Sequence, residues 1–297
     1  MKKYNFLIYI LIASILCACS TEKDKKEAAQ FFKKGTFKLQ RKDYEEAIKW
    51  FNEAIEKDPK LADAFNNRAL SYQKTEQFDL ALNDIDKAIE LDNSYWEAYF
   101  NRGDINFQLK NFSEALKDYE KVAKIYKDSS YVFLKIGDTK AQLNDLSGAT
   151  AAYEKAKILQ PNNAPAYTNH GYLYFIEKKY NLAEKEFRKA LSINPREDFA
   201  SNNLSFILTE KKLYQEALKY AQIAIDYQPV NPIYMNNYGN ILLHLGKEKL
   251  GLEMINKSLQ LDENNEFAYK NLIEYYESIG DNINLEKYKA KVKTLNK

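Results

Sequence analysis

The feature that most constrains this chain is a period. From Ala28 onward the sequence resembles itself every 34 residues. Seven full periods run 28–61, 62–95, 96–129, 130–163, 164–197, 198–231 and 232–265, and an eighth fills 266–297 with no insertion. A repeat of fixed length implies one small unit stacked many times, each unable to bury its apolar face alone. Position 8 of the period reads Gly35, Ala69, Gly103, Gly137, Gly171, Ser205, Gly239 and Ile273. Position 20 reads Ala47, Ala81, Ala115, Ala149, Ala183, Ala217, Gly251 and Leu285, and position 27 is as small: Ala54, Ala88, Val122, Ala156, Ala190, Ala224, Ser258 and Val292. Large residues recur at position 4 (Phe31, Phe65, Tyr99, Phe133, Tyr167, Tyr269) and position 24 (Phe51, Ile85, Tyr119, Tyr153, Phe187, Ile255). Small residues let two helices approach, and large ones fill the space that remains. Pro59, Pro161, Pro195 and Pro229 close four periods, because proline cannot continue a helical hydrogen-bond ladder.

This pattern resembles the tetratricopeptide repeat, over nearly the whole chain. The resemblance implies an all-α, right-handed superhelical solenoid of about eight helix-turn-helix units, seven over 28–265 and a divergent eighth over 266–297. The last helix places Leu285, Tyr288, Val292 and Leu295 on one stripe with lysines off it, as a terminal cap facing water requires. Composition agrees. A chain that is 45% hydrophobic and 29% charged folds, and 9 Gly with 6 Pro leave little material for a sheet-and-turn protein.

A net charge of +2 argues against a general nucleic-acid binder, which shows a basic excess. The only cysteines, Cys17 and Cys19, sit near the N-terminus, so no disulfide framework is expected. Lys2 and Lys3 precede an apolar run from Phe6 to Leu16, and Ala18 precedes Cys19. That order reads as a secretory signal and resembles the lipobox of bacterial lipoproteins. The resemblance implies a signal peptide over 1–18, acyl chains on Cys19 and a short linker through residue 27. It also implies a lipid-anchored place in the bacterial cell envelope, with Ser20 suggesting the outer membrane. An uncleaved anchor is the alternative, but spanning the hydrocarbon takes about 20 apolar residues and this run is shorter.

No constellation for catalysis is present: there is no HExxH, P-loop or GxSxG, and no cofactor or metal is expected. His170 falls at position 7, a packing position, and reads as a structural histidine.

In tetratricopeptide arrays the first helix of each pair, helix A, lines the concave face, so positions 2, 5, 6, 9, 12 and 13 are candidates to touch a ligand. Position 6 supplies Asn67, Asn101, Asn169, Asn203, Asn237 and Asn271. An amide both donates and accepts, so this ladder could pair with a peptide backbone of any sequence, or could satisfy local groups instead. Beside it runs a row of Phe100, Phe107, Tyr131, Tyr172, Phe175, Phe199 and Phe206, extended by Ile233, Leu243 and Phe267. Such a row is a binding surface unless neighbouring units bury it. Asp63, Glu97, Asp104 and Asp138 make the earlier part acidic; a partner with a basic segment followed by an apolar one fits both parts. The carboxylate clamp of chaperone-binding arrays is not expected. Lys33 and Asn67 match it in part, but Glu97 and Asn101 stand where its cations belong. Three functions follow: a membrane-tethered adaptor for a protein or extended peptide, a pilotin-like assembly lipoprotein, or an enzyme with an unrecognised site.

Overall fold

The structure is a computed structural model that describes residues 22–295. Cys19 and the signal-like segment lie outside the described residues. Among those residues there are sixteen helices and no strand. They come in pairs: α1 (22–40) and α2 (Tyr44–Lys57), α3 (Ala62–Lys74) and α4 (Phe78–Leu91), α5 (Trp96–Gln108) and α6 (Phe112–Ile125), α7 (Ser130–Gln142) and α8 (Leu146–Leu159), α9 (Ala164–Ile176) and α10 (Tyr180–Ile193), α11 (Asp198–Glu210) and α12 (Tyr214–Tyr227), α13 (Pro232–His244) and α14 (Glu248–Leu261), α15 (Glu266–Ser278) and α16 (Asn282–Leu295). From α3 on, every helix A begins at position 1 of the period, and every second helix, helix B, begins at position 17. The chain is an all-α repeat solenoid. Its contacts divide it into two compact units, Met1–Asp145 and Leu146–Lys297.

The turn between the two helices is the same each time. Position 15 takes the left-handed conformation at Lys42, Glu76, Lys110, Asn144, Lys178 and Lys212, with glycine there only at Gly246 and Gly280. The next amide reaches back to position 11, as from Gln77 to Tyr72 and from Lys179 to Tyr174, while that of position 15 reaches position 12. This paired closure satisfies the last carbonyls of helix A. After helix B the position-31 side chain takes over: Asp58, Asp92, Asn194 and Asp262 each accept the amide two residues on.

The cores explain the small-and-large pattern. Phe51, Ile85, Tyr119, Phe187 and Ile255 at position 24 are fully buried, as are the alanines of positions 20 and 27. A Cβ added to Gly35 would lie 2.6 Å from Phe51, one on Gly103 2.8 Å from Tyr119, and one on Gly171 3.0 Å from Phe187. Glycine therefore stands opposite a ring. Where position 8 is Ala69 the facing residue is Ile85, and where it is Ser205 the facing residue is Ala221.

One expectation is corrected. The stretch after Cys19 is not a linker through residue 27, because α1 already begins at residue 22. Lys23 and Glu27, and Glu22 and Lys26, sit one helical turn apart at 3.8 Å, and Glu27 bonds Lys57 of α2 at 2.9 Å. These pairs and the tie to α2 favour helix there.

The facing sizes predict that Gly171→Ala lowers stability by about 1–3 kcal/mol through overpacking. Adding Phe187→Ile, the size that faces Ala69, should recover part of that loss. Thermal melts of the single and double variants check this; simple additivity of the two losses would show that the contact does not set the fit.

Candidate functional site

Helix A residues are positioned by two contacts, with their own helix B and with the neighbouring pair. Positions facing neither are free to meet a partner. In the second unit these positions of α11, α13 and α15 border a hollow of about 450 Å³, lined by Phe206, Asn236, Asn237, Asn240, Asn271 and Phe267 among others. Lys212, Lys270, Glu210 and Glu274 line it as well. Next to it the rings of Tyr172, Phe175, Phe199 and Phe206 touch in sequence. Tyr172 lies 5.2 Å from Phe199 and 6.3 Å from Phe175, and Phe175 lies 5.3 Å from Phe206.

The row divides by exposure. Tyr172, Phe199, Ile233 and Phe267 are exposed, Phe267 by 65%. Phe175 and Phe206 are half-buried against each other and against Tyr180, and Phe175 leans on the core of its unit. Leu243 is not a surface residue, since it packs with Ile255, Ala268 and Leu272. In the first unit Tyr131 is exposed and lies 5.5 Å from half-buried Phe100. Phe107 packs edge-on against Phe112 at its own turn. Thus the row is exposed at some positions and packed at others, alternating with the helical face.

The asparagine ladder has a structural role that the sequence left open. Asn101 donates to Asn66 at 2.8 Å, Asn237 to Asn202 at 2.9 Å and Asn271 to Asn236 at 2.9 Å. Each is a position-6 amide reaching the position-5 amide of the preceding repeat. Asn67 and Asn237 accept in turn from Asn66 and Asn236, and Asn67 donates to Thr36. An amide has two N–H donors and two lone pairs, so these side chains tie repeats together and still keep capacity for a ligand. Asn203 is buried and donates to the Phe199 carbonyl of its own helix, which turns it away from a partner. Asn169 is half-buried.

The earlier part is less acidic than its sequence suggests. Asp104 accepts from the Tyr119 hydroxyl and pairs with Lys135 at 3.0 Å. Asp63 accepts from the Tyr95 hydroxyl at 2.7 Å. The Lys135 ammonium offsets the Asp104 charge, while the hydroxyl bonds engage lone pairs and leave the carboxylate charge in place.

A second network joins repeats at position 7, and nothing in the sequence reading identified it. The Arg68 guanidinium grips Asp84 of its own helix B with two bonds of 2.7 Å and reaches Asn52 of the preceding helix B. Arg102 does the same to Asp118 and Asp86. Ile136 takes the slot in the fourth repeat, and His170 takes it in the fifth. His170 faces Glu186 of its own helix B, and Glu154 and Lys157 of the one before. The Lys157 ammonium sits 2.7 Å from His170 Nδ1 and 3.0 Å from each carboxylate. It replaces the arginine charge, and it fills the space in which Glu154, His170 and Glu186 could otherwise hold a metal ion. Because Nδ1 accepts from Lys157, the ring proton is on Nε2, which is buried without a hydrogen-bond partner among the described residues. His170 is fully buried, as its packing position implied. Burial, then the Lys157 charge, hold its pKa down to about 4.

Paired helices repeated in one register, with side chains of helix A left free on one side, define a repeat scaffold of the helix-turn-helix kind. Family descriptions match along the same stretch: "TPR repeat" at residues 38–76, and "Tetratricopeptide repeat" at 66–130, 212–266 and 164–197, the last being one full period. The chain belongs to the tetratricopeptide-repeat family. No curated protein matches it. Among solved structures, pilF of Pseudomonas aeruginosa is similar with 20% identity and a TM-score of 0.63, over 71% of this chain and 96% of that one. A tetratricopeptide repeat protein of Parabacteroides merdae is similar over 83% of this chain and 98% of its own, with 16% identity and a TM-score of 0.63. YrrB, described as a TPR protein with an unusual peptide-binding site, shares 25% identity with a TM-score of 0.50, covering 62% of this chain and 95% of its own.

The buried cluster predicts a pH effect. A histidine whose folded pKa lies below the unfolded value of about 6.5 takes up its proton first in the unfolded chain. Its contribution is therefore complete above pH 6.5 and is lost as pH falls toward 4, by about 3 kcal/mol at most. Burial pushes the Glu186 carboxyl up, which offsets part of the loss near the acid end. Denaturant midpoints between pH 7.5 and 4.5 should fall for the wild type and fall less for His170→Phe. Equal slopes would exclude His170 as the source.

Proposed function

We propose that this protein is a non-catalytic, lipid-tethered scaffold of the bacterial cell envelope that holds an extended segment of another protein along its helix A residues. The observation that carries the reading is the exposed aromatic surface of the second unit, Tyr172, Phe199 and Phe267, beside amides with unused hydrogen-bonding capacity. Exposed rings rimmed by polar groups suit apolar side chains, and the amides of Asn237 and Asn271 suit a peptide backbone. The YrrB likeness supports a peptide as ligand. A partner with a basic segment followed by an apolar one remains the proposed match, with Glu97 and Asp138 meeting the basic part.

The tether rests on the sequence from Lys2 to Cys19, with acyl chains on Cys19 and the outer membrane as destination. Two or more chains suffice for stable attachment. A second reading, an assembly lipoprotein of the pilotin kind, is favoured by the likeness to pilF across 96% of that chain. Capture from membranes with cross-linking separates the two: soluble envelope proteins for an adaptor, a large ring for an assembly factor.

Two experiments test the proposal. Tyr172→Ala with Phe199→Ala should weaken partner capture at least about tenfold, on the order of 1.4 kcal/mol, while the thermal midpoint stays unchanged. Phe175→Ala, which empties a packed site, should instead lower that midpoint. A midpoint that drops equally in both variants would make the rings core and end the binding reading. For the tether, Cys19→Ala should release the protein from the membrane fraction or leave it unprocessed; a processed, membrane-bound variant would remove the lipid anchor.

A further inference from the structure

In the later repeats, position 7 of helix A meets the helix B before it, as Arg68 meets Asn52 and Arg102 meets Asp86. No helix B precedes α1 among the described residues, so α1 keeps the equivalent face open. That face is not merely polar. Lys23, Lys26, Gln30, Lys33, Lys34, Phe37 and Arg41 follow one another at helical spacing, and all are exposed. Five of the seven are cations. Phe37 is 54% exposed. Trp50 of α2 joins the same surface, where with Lys33, Lys34, Phe37 and Lys38 it lines a shallow hollow of about 560 Å³. The Lys34 ammonium lies 4.4 Å from the Trp50 ring centre.

The neighbouring carboxylates cancel this charge only in part: Lys23 and Lys26 lie 3.8 Å from Glu27 and Glu22 of the same helix. Glu27 is engaged by Lys57 at 2.9 Å and Asp43 by Lys38 at 2.7 Å. Lys33, Lys34 and Arg41 form no ion pair among the described residues. A cap at the end of a repeat array needs only a polar face, and mixed charges would serve. Three cations without an ion pair, Lys33, Lys34 and Arg41, beside the rings of Phe37 and Trp50 ask for an anionic partner that also accepts apolar groups. The lysines of α16 make the contrast: Lys287, Lys289, Lys291 and Lys293 fall on alternate residues, which a helix spreads to different sides.

We propose that this face of α1 and α2 docks on the surface of an anionic membrane, the one to which the chain is tethered. The proposal rests on the lipid anchor proposed above. Cys19 is three residues from the start of α1, a reach of about 10 Å at roughly 3.3 Å per residue, so the headgroups lie beside the stripe. Aromatic rings settle at headgroup level, lysine stems lie along apolar surface with their charges in the headgroups, and each cation near an anionic leaflet adds to attachment. The docked face turns the start of α1 and α2 toward the lipid.

The test uses the full lipidated chain with Trp96→Phe, which leaves Trp50 as the single tryptophan. It is reconstituted on phosphatidylcholine vesicles, with or without phosphatidylglycerol, carrying a headgroup-depth quencher. Trp50 fluorescence should be quenched on the anionic vesicles and several-fold less on the zwitterionic ones. Raised salt should reduce the quenching, because it screens exposed charges. Lys33→Glu with Lys34→Glu and Arg41→Glu should abolish the difference while the protein still floats with the vesicles. Flotation with Trp50 unquenched on both compositions overturns the docking and leaves the anchor standing. The same result with a dimer in light scattering would assign the face to a second copy. A chain that floats on neither composition overturns the anchor, and the docking with it.

Discussion

The whole array depends on how closely helix A approaches helix B at position 8. A ring at position 24 lies against that point in three repeats, and there the facing residue has no side chain: Gly35 on Phe51, Gly103 on Tyr119, Gly171 on Phe187. Where the filler shrinks to Ile85 or Ala221, position 8 grows to Ala69 or Ser205. Gly239 also stands close to its filler, a Cβ there lying 2.8 Å from Ile255, so a small position 8 serves close approach whether the filler is a ring or a branched chain. A constant pair geometry has a further result. Each helix A presents the same positions outward, 34 residues apart, so residues far apart in sequence become neighbours along a surface.

A second layer joins one pair to the next. Position 7 lies between its own helix B and the preceding one, sixteen residues away in either direction, as Arg68 shows with Asp84 and Asn52. Where that slot is polar its chemistry changes from arginine with aspartates, to histidine with lysine and glutamates, to Tyr238 donating to Gln222 at 2.6 Å, with Ile136 and Leu204 in the repeats between. The geometry does not. A buried histidine beside a lysine and two carboxylates would invite a catalytic or metal-binding reading if met alone. Seen as the third member of this series, it is a joint. Its lysine supplies the positive charge that keeps the glutamates paired, since a buried carboxylate left without a partner is strongly unfavourable.

The period was legible in the sequence because it depends on residue size, and size is written in each letter. Helix boundaries, the fillers at position 24 and the terminal stripe of Leu285 and Tyr288 follow from it. What stayed hidden depends on partners a fixed distance away in a neighbouring repeat. Asn101 could be read as a ligand amide because its acceptor, Asn66, stands in a different column of the period. Leu243 and Phe267 look alike as apolar residues of helix A. One is core and the other 65% exposed, because position 12 leans toward helix B and position 2 does not. Residues 22–27, rich in charge, read as a linker until Glu27 was seen to reach Lys57.

Position 2 carries the argument for a partner furthest. It reads Asp63, Glu97, Tyr131, Pro165, Phe199, Ile233 and Phe267 in successive repeats. The fold is indifferent to this choice, since acidic and aromatic residues occupy the same place in helices of the same length. Among the four apolar members Tyr131, Phe199, Ile233 and Phe267, none is buried. Exposing such side chains to water is unfavourable and contributes little to packing. Their clustering in the later repeats, against acids in the earlier ones, is not required by the packing, and it supports the proposed binding surface. The packing positions hold the helices, which leaves position 2 free to vary along the array without disturbing them.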